Sequence, residues 1–171
     1  MAELPVSVVI PVRNEEANLG RCLDCLRDFS EVIVVDSDSE DATVAIAEQH
    51  GRQVVSFQWD GIFPKKRNWV LRNVELHHPW VLFLDADEYV TAEFIAELPR
   101  ALAEPEVVGF WLNFQNTFMG KKLRFGDRFR KLALFRKDAG EYERIDDEHW
   151  SKLDMEVHEH PILKGPLGEI R

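Results

Sequence analysis

The sequence predicts an α/β fold in which helices cover a mostly parallel sheet, followed by a short mixed part at the carboxyl end. Short apolar runs rich in β-branched residues occur at residues 6–10, 32–35 and 53–57, a composition typical of strands. Segments with apolar residues at helical spacing separate these runs. The resulting order β-α-β-α-β, with short connections, is typical of a parallel sheet with right-handed crossovers.

The ends of the first elements carry signals of their own. The first strand closes at Pro11, and Asn14 is positioned to cap the helix that follows. The second strand ends on Asp36, after which Ser39 is expected to cap the second helix. Gly51 is expected to stop that helix, because glycine readily adopts the left-handed conformation that ends many helices.

Two further helices are expected on either side of a fourth strand. Pro64 suits the first position of a helix, and Arg67 lies near the start of that helix on its apolar face. A partly buried cation needs an anion. This anion is either a carboxylate of the protein or a phosphate, which a helix N-terminus also favours. Thr91 is expected to cap the next helix, which Pro99 ends or kinks.

An acidic cluster follows the apolar run at residues 80–84 and consists of Asp85, Asp87 and Glu88. Such a run predicts a strand buried on both faces, and ligands of open α/β sheets bind beyond the carboxyl ends of strands. Strand alternation directs Asp85 and Asp87 to one side, where their oxygen atoms suit Mg²⁺ or Mn²⁺. The same residues fit equally well a carboxylate that stabilises the start of the next helix.

After Pro105 the character of the chain changes. Residues 107–118 are strand-like and aromatic. Residues 121–137 then carry eight basic side chains and one acidic one, and residues 138–159 carry nine acidic and two basic ones. Charge runs are most often solvated faces, although the basic run also suits an anionic acceptor or a diphosphate.

Composition limits the class of protein. With 171 residues, 45% of them hydrophobic, and a net charge of −10, one domain with a sizeable core is expected, and a nucleic-acid-binding surface is not. Cys22 and Cys25 fall in a helical pattern and are expected as core residues of a reducing compartment. The start lacks a basic region and no apolar run spans a bilayer. We therefore expect a cytoplasmic protein, with peripheral contact at the inner face of the cytoplasmic membrane left open.

Several enzyme classes lack their motifs. The sequence contains no G-x-x-x-x-G-K-[ST], no G-x-G-x-x-G after the first strand, no G-x-S-x-G and no H-E-x-x-H. What remains is Asp36 and the Asp85/Asp87 pair at strand ends, and a basic helix start that includes Lys66 and Arg67. This set suits a nucleotide diphosphate bound through a divalent metal, with Asp36 on the base or ribose and Arg67 on the phosphate.

Four segments in this order resemble a GT-A (Rossmann-like) glycosyltransferase of family 2. They are Ser7-Val8-Val9-Ile10-Pro11-Val12-Arg13-Asn14-Glu15-Glu16, Val34-Val35-Asp36-Ser37-Asp38-Ser39-Glu40-Asp41, Lys66-Arg67-Asn68 and Leu84-Asp85-Ala86-Asp87-Glu88. Within the family the chain is most similar to the lipopolysaccharide core glucosyltransferase type. The features that carry this similarity are Leu134-Phe135-Arg136 and Val157-His158-Glu159.

The resemblance implies inverting transfer of a sugar from a nucleotide diphosphate donor of the UDP type to a hydroxyl of a glycan or glycolipid, lipopolysaccharide among them. The substrate-binding residues that it implies are Pro11, Arg13, Glu15, Asp36, Lys66, Arg67 and Asp85. The metal ligands that it implies, for Mg²⁺ or Mn²⁺, are Asp85 and Asp87.

The general base is expected in the acidic segment near the carboxyl end. In an extended run, alternation places Asp154, Glu156 and His158 on one face and Glu159 on the other. Together with the family-like Val157-His158-Glu159, this pattern favours Glu159 as the base and His158 as a metal or diphosphate contact. A solvated acidic loop is the alternative.

Residues 1–171 are accordingly interpreted as a single GT-A-like domain, with 1–104 as the nucleotide-sugar half and 105–171 as the acceptor half. Two features depart from the family. Asp38 stands where a glycine is frequent, and the chain ends soon after Glu159, so a truncated acceptor half is an open alternative. A sugar nucleotidylyltransferase, which would need a glycine-rich basic loop after the first strand, and a non-catalytic nucleotide-binding scaffold are the rival functions.

Overall fold

A computed structural model describes residues 4–118, 121–122, 129–145, 152–155 and 159–170. The helices assigned there are α1 (Leu19–Asp24), α2 (Thr43–Gln49), α3 (Lys66–Asn73) and α4 (Ala92–Leu102). The strands are β1 (Val6–Val12), β2 (Glu31–Asp36), β3 (Gln53–Ser56), β4 (Trp80–Phe83), β5 (Gly109–Phe114), β6 (Thr117–Phe118), β7 (Lys121–Lys122), β8 (Phe129–Arg136), β9 (Gly140–Tyr142), β10 (Pro161–Leu163) and β11 (Leu167–Ile170).

Seven of these strands form one sheet in the order β11-β5-β8-β4-β1-β2-β3. The strands β1, β2, β3 and β4 run parallel to one another, as the β-α-β order predicted. The strand β8 is antiparallel to both of its neighbours, β4 and β5. The mostly parallel α/β sheet and the mixed carboxyl part are therefore confirmed.

The two faces of the sheet pack into separate hydrophobic clusters. Val8 and Leu82 belong to the cluster that includes residues of α1, α2 and α4. Val9 and Phe83, the next residues along the same strands, belong to the cluster that includes Val70 of α3. This alternation explains why β4 needs an unbroken apolar run, since both of its faces are covered.

The loops after β1 and β2 do not begin their helices where the sequence suggested. The prediction that Asn14 and Ser39 cap helices is wrong, because α1 begins at Leu19 and α2 at Thr43. Asn14 adopts a positive φ of 56°, and its backbone N–H donates to the hydroxyl of Ser39 at 2.8 Å. The Asn14 side-chain oxygen accepts the Glu40 N–H at 2.8 Å, so Asn14 and Ser39 join the two loops to each other.

The other predictions about where helices start, stop or kink are confirmed only in part. Thr91 caps α4, and its hydroxyl accepts the Phe94 N–H at 3.2 Å. Gly51 follows α2 with a φ of 65°, as expected of a helix stop. Pro64 lies two residues before α3, whose cap is Lys65. Pro99 lies inside α4, which continues to Leu102.

The interpretation of the basic run as a solvated face is wrong for residues 132–135, the centre of β8. Leu132, Ala133, Leu134 and Phe135 are each no more than 5% exposed. Leu134 pairs with Leu82 of β4 in the centre of the sheet. Because charged residues flank this short apolar run, the sequence analysis did not recognise it as a strand of the core.

Both cysteines are free thiols, Cys22 buried and Cys25 half-buried. Burial raises the pKa of the Cys22 thiol to about 12, which makes it unreactive at neutral pH. None of the helices in the described part of the chain is long and apolar enough to cross a membrane.

We expect Leu134→Ala to lower the free energy of unfolding by about 2–5 kcal/mol, since the side chain is fully buried and leaves a cavity. Urea denaturation measures this change. The matched control is Leu153→Ala, at a leucine that is 55% exposed; it is expected to change stability by less than about 0.5 kcal/mol. Equal losses in the two variants would contradict the placement of β8 in the core.

Candidate active site

The candidate site lies at the edge of the sheet where the parallel strands end. Pro11 and Asp36 lie at or near the ends of β1 and β2, and Asp85 follows the end of β4. The start of β8 returns to the same edge because β8 is antiparallel to β4. This brings Lys131 to the acidic cluster, a contact that the linear sequence does not indicate.

The loop that holds Arg13 and Glu15 is fixed by the loop after β2. The Glu15 N–H donates to the hydroxyl of Thr43 at 2.7 Å, and the Glu16 N–H donates to Asp41 at 3.1 Å. The Arg13 side chain is exposed and Glu15 is half-buried at this edge. The backbone is therefore fixed while these two side chains can still be reached from solvent.

Asp36 is 6% exposed, and its carboxylate organises the turn that follows β2. It accepts the Ser39 N–H at 3.1 Å and the Ser39 hydroxyl at 2.5 Å. Asp38, where the family often has glycine, has a positive φ of 51°. The residue thus adopts a backbone conformation that favours glycine.

The start of α3 places two cations inside the protein, with Lys66 2% and Arg67 5% exposed. The Lys66 ammonium donates to the Val12 carbonyl at 3.2 Å and pairs with Asp154 at 2.8 Å. The guanidinium of Arg67 pairs with Glu159 at 3.0 Å and with Asp85 at 3.5 Å. In this structure the anions that these cations require are carboxylates of the protein.

The segment around Asp154 lies on the start of α3. The Asp154 carboxylate accepts the Ser37 hydroxyl at 2.5 Å as well as the Lys66 ammonium. The Lys66 N–H donates to the Asp154 carbonyl at 2.9 Å, and the Lys65 ammonium donates to the Leu153 carbonyl at 2.6 Å. A solvated acidic loop is therefore the wrong description of Asp154, and Glu159 is likewise only 8% exposed.

Asp85 lies between two cations. Lys131 approaches one carboxylate oxygen at 2.7 Å and Arg67 approaches the other at 3.5 Å. Burial alone would raise the pKa of Asp85, but the charges and hydrogen bonds of Lys131 and Arg67 outweigh it, so this pKa lies below its ordinary value. Burial, assisted by Asp85, raises the pKa of Glu88 despite the adjacent Lys131.

The alternation argument for the metal ligands does not hold, because β4 ends at Phe83 and both aspartates lie beyond it. Asp85 is half-buried and Asp87 is exposed. Within the described residues, no three His, Cys, Asp or Glu side chains are close enough to hold a metal by themselves. An exposed carboxylate at the strand ends nevertheless suits a Mg²⁺ or Mn²⁺ ion that takes its remaining ligands from substrate phosphates and water. His158, the third predicted ligand, lies outside the described residues.

Sequence reasoning assigned no role to Ser37 or Lys131, and it named Asp154 only as part of the acidic segment expected to supply the base. Each contacts a residue that is distant in the chain, such as Lys131 with Asp85 or Asp154 with Lys66. One signal was present, since an apolar tetrad inside the basic run predicts a strand whose flanking lysine lies at a sheet edge. No comparable signal marks Asp154 among nine acidic residues.

Comparison with known proteins identifies the family of the chain. Residues 7–158 match the family model described as glycosyl transferase family 2. The chain belongs to this family. This match confirms the resemblance to family 2. The solved structures described below confirm the GT-A architecture.

Two curated relatives cover most of the chain. A lipopolysaccharide core biosynthesis glycosyltransferase LpsC of Rhizobium meliloti is 28% identical over 177 residues, covering 99% of this chain and 61% of that protein. A TPR repeat-containing protein of Synechococcus elongatus is 33% identical over 145 residues, covering 83% of this chain and 36% of that protein. The chain therefore spans less than two thirds of the length of either relative.

Solved structures of one mycobacterial enzyme share the fold. Glucosyl-3-phosphoglycerate synthase of Mycobacterium tuberculosis in complex with UDP aligns with a TM-score of 0.52 at 28% identity, over 66% of this chain and 45% of the other. Its complex with Mn²⁺, UDP and glucosyl-3-phosphoglycerate aligns with a TM-score of 0.50 over 63% of this chain and 43% of the other.

We expect Asp154→Asn to lower the free energy of unfolding at neutral pH by about 1.5–3 kcal/mol, the range for a hydrogen bond to a charged group. The hydrogen bonds from Lys66 and Ser37 outweigh burial and hold the pKa of Asp154 below its ordinary value. Its stabilising contribution is therefore present above about pH 4 and is lost as the pH falls through the folded-state pKa.

Urea denaturation between pH 7 and pH 2.5 measures this effect, and the two proteins should converge in stability at the acidic end. Asp28→Asn, at an exposed aspartate, serves as the control and should stay close to the unmodified protein throughout. A loss that is independent of pH would mean that packing, and not the charge of Asp154, stabilises this segment.

Proposed function

We propose that the protein is an inverting glycosyltransferase that transfers a sugar from a UDP-sugar to a hydroxyl of a cell-surface glycan or glycolipid, such as lipopolysaccharide. The observation that carries the proposal is the pair of buried cations, Lys66 and Arg67, at the strand-end edge beside Asp36 and Asp85. Family membership, the UDP complexes of the mycobacterial enzyme and the lipopolysaccharide role of the LpsC relative support it.

The donor binds along the ends of β1 and β2. Pro11, Arg13 and Glu15 line the nucleotide, and Asp36 lies near its base and ribose. Lys66 and Arg67 neutralise the diphosphate from the start of α3, where a helix N-terminus also favours an anion. Since Arg67 already pairs with two carboxylates, a bound diphosphate has to share or replace them.

Asp87 would hold the divalent metal, and Asp85 would orient this site. A bound Mg²⁺ or Mn²⁺ would act as a Lewis acid on the leaving diphosphate. The Mn²⁺ complexes of the mycobacterial enzyme support this assignment. His158 is proposed as a further ligand on sequence grounds alone.

Glu159 is proposed as the general base that removes the proton of the acceptor hydroxyl. Its carboxylate is 3.0 Å from the Arg67 guanidinium, which places it beside the donor-binding cations. The same contact gives it a second role, because it holds Arg67 in place.

Residues 1–171 are proposed to act as a single domain, with 1–104 supplying most donor contacts and 105–171 the acceptor side. The strands β5, β8 and β11 of the second half belong to the same sheet as β1 to β4, which supports one domain. The acceptor is a glycan or glycolipid hydroxyl, so peripheral contact with a membrane surface follows if the acceptor is lipid-linked. A nucleic-acid partner is disfavoured by the net charge of −10.

Calorimetric titration of UDP, GDP and UTP, each with and without Mn²⁺, tests the proposed function. Metal-dependent binding of UDP supports the transferase. Preference for the triphosphate would favour a nucleotidylyltransferase instead, and lack of binding of any nucleotide would favour a scaffold without catalytic function.

We expect Asp87→Ala to abolish metal-dependent UDP binding while leaving the melting temperature unchanged. Its exposed carboxylate makes no ion pair within the described residues, so its removal costs the core nothing. Calorimetry with Mn²⁺ and thermal denaturation measure the two quantities. Asp138→Ala, at another exposed aspartate, is the control, and normal UDP binding by Asp87→Ala would remove Asp87 from the metal site.

We expect Glu159→Gln to lower the turnover number by about 10²–10⁴-fold, the usual contribution of general base catalysis. Glutamine keeps the size and a hydrogen-bond acceptor but removes the basicity. UDP affinity is measured alongside turnover, because the Arg67 contact gives Glu159 a second role. If UDP affinity and melting temperature fall while turnover at saturating donor is kept, Glu159 acts by positioning Arg67 and the base lies elsewhere.

A further inference from the structure

Lys131 is a partly buried cation that neither the family motifs nor the proposed donor contacts use. Its ammonium group is 2.7 Å from one carboxylate oxygen of Asp85 and 3.2 Å from both carboxylate oxygens of Glu88. The Lys131 side chain is 17% exposed and the Glu88 side chain 14% exposed. One ammonium group thus fills the space between two carboxylates.

The surroundings fix this arrangement from both sides. The Glu88 carboxylate accepts the Asp85 N–H at 2.9 Å, so the two acidic residues are held together by the backbone. The second carboxylate oxygen of Asp85 is 3.5 Å from the Arg67 guanidinium. Each oxygen of Asp85 therefore already has a cation of its own.

Asp87 differs from this pair, although it lies only two residues beyond Asp85. Its side chain is exposed, and in the part of the chain that is described it makes no ion pair. A divalent ion that approached Asp85 and Glu88 would have to displace an ammonium group held at hydrogen-bond distance. At Asp87 the ion would meet an exposed carboxylate that makes no ion pair within the described residues.

We propose that Lys131 is a built-in cation that closes the Asp85–Glu88 pair to divalent metal and thereby directs the metal to Asp87. Lys131 is a positioning residue in this role, since it determines which carboxylate of the Asp85-Ala86-Asp87 segment binds the ion. The inference deepens the proposed function, because it concerns the metal of the donor site. Its test measures metal binding by the protein alone and requires neither donor nor turnover.

The competing explanation is that Lys131 only neutralises two partly buried carboxylates and so stabilises the fold. The two explanations differ in the sign of one measurement. If Lys131 only stabilises the fold, and the Asp85–Glu88 pair is not a metal site even without it, removal of Lys131 lowers stability and leaves the metal affinity unchanged or weaker. Removal of a charge that excludes the metal frees two adjacent carboxylates and strengthens metal binding.

The experiment titrates Mn²⁺ alone into the full chain and follows the free ion by electron paramagnetic resonance. Lys131→Met is expected to bind Mn²⁺ at least about tenfold more tightly than the unmodified protein, because the substitution removes a unit charge that repels the ion at contact distance. Lys131→Arg, which keeps the charge, is expected to stay near the original affinity. Unchanged or weaker Mn²⁺ binding by Lys131→Met overturns the proposal.

The matched control is Arg130→Met, which removes one positive charge from the adjacent residue. Arg130 is exposed and lies over the Trp111 ring at 5.5 Å, away from Asp85. Its substitution is expected to change Mn²⁺ affinity by less than about threefold, as befits a screened surface charge. An equal gain in both variants would mean that overall charge, and not the Lys131 contact, sets the affinity.

A double variant tests where the metal binds. Asp87→Ala alone is expected to abolish Mn²⁺ binding, whereas Lys131→Met with Asp87→Ala is expected to retain it at the freed Asp85–Glu88 pair. Loss of Mn²⁺ binding in the double variant overturns the proposal.

If Lys131→Met does not fold, Lys131→Gln carries the same expectations, since it keeps a hydrogen-bond donor without the charge. UDP titration of the unmodified protein is scored separately and decides only the proposed function.

Discussion

The burial of two cations at the start of α3 is the constraint on which the site depends. Removing Lys66 and Arg67 from water is costly unless each has an anion at close range. The structure supplies these anions from Asp85, Asp154 and Glu159, which belong to three separate segments. The cations therefore hold the acidic carboxyl-terminal segments against the first half of the chain, and the position of those segments follows from this electrostatic requirement.

The same constraint shapes the chemistry of the site. A buried ammonium or guanidinium that is already paired is oriented before any ligand arrives, so little reorganisation is needed when a diphosphate binds. The protein's carboxylates and a diphosphate are both oxygen anions and compete for the same donors. Under the proposed function, donor affinity is a difference between two sets of ion pairs, and the acidic segment contributes to that difference as directly as the cations do.

The antiparallel strand β8 is the second feature that makes the site. The parallel strands β1, β2 and β4 deliver only their carboxyl ends to the edge where ligands bind. A strand of opposite direction delivers its start, and β8 places Lys131 there against Asp85 and Glu88. The centre of β8 lies in the hydrophobic core, and its first residues lie at the candidate site. One strand therefore contributes both to the stability of the fold and to the charge distribution of the site.

The sequence by itself determined the fold class, the first four strands and the strand-end positions of Asp36, Asp85 and the Lys66–Arg67 pair. These follow from local patterns, because apolar runs, helical spacing and motif order are all read within a few residues. Only the tertiary structure decided the role of β8, the loop contacts of Asn14 and Ser39, and the partners of the buried cations. Those depend on which residues distant in the chain come within about 3 Å of each other, a distance at which an ion pair or hydrogen bond forms. A charge run such as residues 121–137 or 138–159 carries no information on that point, since the same residues suit a solvated surface or a buried pair until the fold selects one.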